Sequence, residues 1–268
     1  MRHALIFVGI FLVCMELSAL LVKYAIVPFF LGSDCDVVVL YTLLTTILYS
    51  IVTLVVFFWA KWCPVSSNYL ASKPYGVLGW VFLLTFAIIL PSLWVQDLLP
   101  DQWMKDVRAE QFDKLLRCPE GYIVIGISAP LVEEVVFRGA ILRKLLEWMN
   151  ESFGGLTKSK AWIAIVISAM FFAAVHFNPA QFPHAFLVGT LLGWMYYRTG
   201  SIIPGMLYHW INNSAAFFLT WIFPEIKSQA HLIEYFNGNQ ALLNTSVVVS
   251  IIVAIPCIWK LNCIMKRA

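Results

Sequence analysis

Between residues 121 and 149 the chain is apolar enough to cross a bilayer, yet it carries Glu133, Glu134 and Arg138 within six positions. An ionised side chain at the bilayer centre costs at least ~2.5–3.5 kcal/mol on insertion scales, so such groups face a polar interior and mark functional pathways. This segment cannot stand alone in lipid; other helices must surround it. On a helix Glu134 and Arg138 are four apart and lie one above the other, which lets them pair. Glu133 points about 100° away from Glu134 and cannot share that geometry. One carboxylate is thus placed for structure and the other is left for chemistry. A structural ion pair that fixes helix packing accounts for Glu134 and Arg138. It does not account for a second glutamate, or for the histidines in two later spans.

The rest of the chain supplies the surrounding helices. Of 268 residues 61% are hydrophobic and only 12% are charged, far more apolar surface than a soluble domain of this length needs. Apolar runs at residues 4–31, 37–60, 77–99, 121–149, 161–177, 184–197, 202–222 and 241–259 predict about eight spans. The first is longer than a signal-peptide core and is read as retained, with Glu16 as a packed or water-facing residue. Asp34 and Asp36 form an acidic turn, and Pro91 predicts a kink in the third span. Residues 100–119 alternate charged residues with Trp103, Met104, Val107, Phe112, Leu115 and Leu116 at helical spacing. That pattern suits an amphipathic helix at the membrane interface, or a solvated loop helix. Gly189 and Gly193 form a GxxxG through which another helix can approach.

Charge distribution gives an orientation. With the N-terminus inside, inner ends hold eleven Lys and Arg residues and outer loops hold five, which predicts cytoplasmic N- and C-termini. No basic run interleaved with aromatics suggests nucleic-acid binding. The six cysteines form no CxxC; Cys35 and Cys118 fall on the same side and could pair.

Three spans place polar groups at membrane depth: Glu133, Glu134 and Arg138; then His176; then His209 and Asn213. His209 and Asn213 share a helix face and can address one point. A carboxylate beside a histidine can hold and deprotonate water. Imidazole and amide N–H groups can stabilise an oxyanion. These are the parts of a peptide-hydrolysing site, and the lack of a serine or cysteine nucleophile motif favours attack by activated water. Two histidines and a glutamate (Glu133, His176, His209) also match a catalytic zinc set in type, although HExxH is absent.

Glu133-Glu134-x-x-x-Arg138, Phe172-x-x-x-His176 and His209-x-x-x-Asn213, in this order, resemble the three motifs of the CAAX protease and bacteriocin-processing (Abi) family, that of the type II CAAX prenyl endopeptidase. The stretch from Gly193 through Arg198-Thr199-Gly200 to Gly205 resembles its link between the second and third motifs. The resemblance spans residues 121–222. It implies an all-α polytopic intramembrane endopeptidase with a central polar cavity. It implies Glu133 and His176 as the water-activating pair, His209 and Asn213 as the oxyanion side, and Glu134 and Arg138 as supporting residues. Members of this family have been read both as metalloproteases and as glutamate-type, metal-independent enzymes.

The expectation is therefore an N-terminal three-span segment (1–120), a catalytic core (121–222), and a loop with a last span (223–268). The protein would sit in a bacterial inner membrane without a cofactor, acting on a protein or peptide that arrives through the bilayer. The rivals are a zinc-dependent protease using the same residues, a non-catalytic immunity or scaffold protein, and a proton-coupled transporter, which the lack of an internal repeat weakens.

Overall fold

The computed structural model describes residues 1–30, 36–100, 109–226 and 230–266. Every regular element among them is helical. Helix α1 (Arg2–Leu21) continues through a π turn (Val22–Ile26) and a 3-10 turn (Val27–Phe30). It buries Ala4, Phe7, Phe11, Cys14 and Ser18 at three- and four-residue spacing. Its other faces expose Val13, Leu17 and Leu20. Glu16 lies among these exposed residues and is not packed.

Asp36 starts α2 (Val37–Trp59) by accepting from the Val38 and Val39 amides at 2.9 and 3.2 Å. The Val39 amide, and then Lys114, hold its carboxyl below the usual carboxylate range. After a short α3 (Ser67–Ala71), α4 (Tyr75–Asp97) runs as one continuous helix with Pro91 inside it. Helix α5 (Ala109–Arg117) is amphipathic. It turns Leu115 and Leu116 into a cluster with Val124, Ile125 and Phe217, while Lys114 reaches Asp36 at 3.2 Å.

The segment 123–152 is one unbroken helical run made of four pieces: a π segment (Ile123–Ser128), α6 (Ala129–Glu134), a second π segment (Val135–Leu142) and α7 (Arg143–Ser152). All eight residues of the second π segment are buried. Helices α1, α2, α8 (Lys158–Ala174), α9 (Phe182–Thr199) and α10 (Ile203–Ile222) pack around this run. The surrounding helices exclude lipid from its charges. The last helix, α11 (Gln240–Ile264), packs along α4.

The GxxxG of α9 is used against α8. A Cβ on Gly189 would lie 3.0 Å from the Phe172 ring, and one on Gly193 would lie 2.9 Å from Ile165. Small residues here let the two backbones approach, which is what brings Phe172 and His176 alongside α9. Gly200 then ends α9 in the left-handed region at φ 68°, where glycine carries no Cβ penalty.

Four helical segments are long and apolar enough to cross a membrane: 2–30, 37–59, 75–97 and 240–264. Their outward faces carry exposed Leu, Ile, Val and Phe side chains, as an integral membrane protein requires. The segments that carry the polar groups fall short of that standard in length or apolarity. Asp34, Cys35, Asp101, Trp103, Met104, Lys105, Asp106, Val107, Arg108, Lys227 and Arg267 lie outside the described residues, and with them the expected Cys35–Cys118 pairing and the first half of the interfacial helix.

Candidate active site

Glu133 and Glu134 close α6, between the two π segments. Such wide turns alter the helix face on which following side chains emerge, and they recur at functional sites. Glu134 is 0% exposed and Arg138 1%. Arg138 Nη1 donates to Glu134 Oε1 at 2.8 Å and Nη2 donates to the Gly189 carbonyl at 3.2 Å. The guanidinium also lies 4.3 Å from the centre of the Phe172 ring, a cation–π contact in a desolvated setting. From the other side α10 approaches so closely that a Cβ on Gly205 would stand 2.7 Å from Glu134 Oε2.

His209 stands between the two carboxylates. Its Nδ1 lies 3.3 Å from Glu134 Oε1 and its Nε2 lies 3.7 Å from Glu133 Oε2. The second separation is longer than a hydrogen bond. The Glu133 side chain keeps 14% exposure against 5% for His209. Of the two carboxylates, Glu133 is the one that keeps exposed surface.

His176 follows the end of α8, in a turn. Its Nδ1 lies 2.8 Å from the Phe172 carbonyl. A carbonyl can only accept, so the proton sits on Nδ1 and Nε2 is the basic nitrogen. Phe172 joins the cluster together: its ring packs edge-on against His176 and His209, with centroids 5.1 and 5.7 Å apart, while Arg138 covers its face.

Asn213 commits one of its two N–H donors elsewhere. Its amide donates to the Ile125 carbonyl at 3.0 Å. Ile125 belongs to the first π segment, where a widened hydrogen-bond ladder leaves a carbonyl able to take a side-chain donor. Its neighbour Asn212 donates to Asn213 Oδ1 at 3.4 Å and to His184 Nε2 at 3.5 Å. His184, on the first turn of α9, lies within electrostatic reach of both His176 and His209. The motif spacings give no role to His184 or Asn212. The available signal was a third histidine only eight residues beyond His176, behind Pro183.

Among the described residues no three His, Cys, Asp or Glu side chains are grouped to hold a metal ion. Both nitrogens of His209 are turned toward carboxylates. Two cavities are present elsewhere. One of about 990 Å³ is lined by Arg143, Glu147, Arg198 and Lys266 at the ends of α7, α9 and α11. The other, about 900 Å³ and mostly apolar, lies between α4, α5 and α10 and reaches Ala180 and Gln181 in the turn after His176. Neither is lined by Glu133, His176, His209 or Asn213.

No curated protein and no solved structure matches the chain. Residues 120–215 match the model of the family described as Type II CAAX prenyl endopeptidase Rce1-like. The matched segment takes in Glu133, Glu134, Arg138, His176, His209 and Asn213, and over that segment the chain is similar to the type II CAAX prenyl endopeptidase family.

Proposed function

We propose that the protein is an intramembrane endopeptidase of glutamic type, with residues 121–222 as its catalytic core in a bundle of about eight spans. The observation that carries this reading is the meeting of Glu133, Glu134 and His209 inside the segment that matches the endopeptidase family. Glu133 and the basic Nε2 of His176 take a proton from water. The resulting hydroxide adds to the carbonyl carbon of a peptide bond, and the displaced π electrons form an oxyanion. His209 and Asn213 face that oxyanion. Collapse of the adduct breaks the C–N bond, and the proton passes to the leaving amine, giving a carboxylate and an amine. Glu134 and Arg138 hold the scaffold.

The assay uses purified protein in phospholipid vesicles and two quenched peptide substrates, one carrying a C-terminal prenylated cysteine motif and one a plain transmembrane-flanking peptide. Cleavage of either, with products identified by mass spectrometry, is expected. Cleavage of neither, by protein that is folded and inserted, would falsify the reading. The reaction is further proposed to need no metal. Activity is expected to survive exhaustive chelation, since Asn213 is a poor zinc ligand. Loss of activity on chelation, with recovery on adding zinc back, would overturn this.

Access is proposed from the middle to outer half of the bilayer, through a wet central cavity. With the N-terminus inside, α8 leads outward and His176 stands near its outer end. Glu133 lies ~18 Å along its helix from Gly121, and His209 and Asn213 lie ~10 and ~16 Å up from Ile202. A cysteine at the exposed position 179, in a chain otherwise freed of cysteine, is expected to react with an impermeant thiol reagent applied outside intact cells. Labelling only from the cytoplasmic side would reverse both the topology and the direction of access.

A further inference from the structure

We propose that His184 is an additional hydrogen-bond donor of the active site, whose Nδ1–H binds the carbonyl oxygen of the scissile peptide bond and the oxyanion that replaces it. This rests on the endopeptidase reading above.

The case begins with the tautomer. The Asn212 amide nitrogen can only donate, and it faces His184 Nε2. That nitrogen must therefore accept, and the proton of the neutral ring sits on Nδ1. His184 Nδ1 is buried and has no hydrogen-bond partner. A buried donor without a partner is destabilising and calls for an explanation. Asn212 fixes the ring from behind, because its other bond goes to Asn213 Oδ1. Asn213 is itself fastened to the Ile125 carbonyl. The donor is thus held rigidly, as electrostatic stabilisation of a developing charge requires.

The donors already assigned to the oxyanion leave room for another. His209 directs Nδ1 at Glu134 and Nε2 toward Glu133. Asn213 has given one of its two N–H bonds to Ile125. His184 adds an imidazole N–H that is committed to nothing. Through Asn212 it is linked to Asn213, which stands on the oxyanion side of the proposed site.

The test compares His184→Phe, which keeps an aromatic ring but no donor, with His184→Gln, which keeps an N–H. Both are assayed as full chains in vesicles on whichever quenched peptide the parent protein cleaves. His184→Phe is expected to lower kcat about 100-fold with KM within about threefold, and His184→Gln to recover most of the loss. Phe removes an unpartnered donor and also the Nε2 acceptor of Asn212, so the thermal midpoint of His184→Phe is expected to stay within a few degrees of the parent. An unchanged kcat in His184→Phe overturns the proposal. So does a fall in the midpoint that tracks the loss of activity in both variants, as a structural histidine would give. If the parent protein cleaves neither peptide, the endopeptidase reading fails by itself. The tautomer then decides the donor separately: nitrogen NMR of the His184 ring is expected to show the proton on Nδ1, and a proton on Nε2 overturns the proposal.

Discussion

Glu133→Gln protein is expected to insert and fold normally and to cleave no peptide, with a loss of at least 10³-fold in kcat, roughly the upper range for removal of a positioned base. The physical ground is exposure and pairing. Glu134 is sealed against Arg138, whereas Glu133 keeps exposed surface and stands 3.7 Å from His209. Glutamine preserves volume and polarity, so the buried network is left intact while the proton acceptor is lost. His176→Ala is expected to produce the same loss, because it removes the basic Nε2 that the Phe172 carbonyl sets by holding the proton on Nδ1. Both variants should keep the parent thermal midpoint within a few degrees. Near-normal turnover by purified Glu133→Gln protein would sink the mechanism.

Breaking the Glu134–Arg138 pair is expected to act on stability first. Removing one partner of a buried ion pair costs about 3–5 kcal/mol, because the other charge stays buried without compensation. Glu134→Ala leaves Arg138 with only the Gly189 carbonyl and the Phe172 ring. It also strips His209 Nδ1 of its acceptor. Arg138→Ala leaves a carboxylate that is 0% exposed, with one oxygen already lacking a partner. Both single variants are expected to express poorly or to lose a large part of their thermal midpoint. The double variant Glu134→Leu/Arg138→Met should be more stable than either single one, since it removes both charges and fills the space. Thermal unfolding of the four proteins in one detergent tests this order of stability. Full stability of both single variants, together with complete loss of activity, would mean that the roles of the two glutamates are reversed.

The sequence by itself determined what depends on neighbours along the chain. Long apolar runs made the helices, because in lipid every backbone N–H and C=O must be satisfied within the segment. The four-residue spacing of Glu134 and Arg138 determined that they could meet, because helical rise and turn stack such positions. Gly189 and Gly193 marked the close α8–α9 approach, because only a missing Cβ allows it. The motif order was legible enough to point to the family.

Tertiary structure decided whatever joins distant helices. His209 lies between Glu133 and Glu134 because α10 closes onto α6 at Gly205, a contact no local pattern encodes. Asn213 went to the carbonyl of Ile125, in a π segment that hydrophobic periodicity cannot distinguish from an ordinary helical turn. His184 on α9 meets Asn212 on α10 at 3.5 Å, a contact between residues 28 positions apart. Periodicity fixes which face of a helix is apolar. It carries no information about which polar group on another helix will stand opposite, because that choice is made by packing all the helices at once.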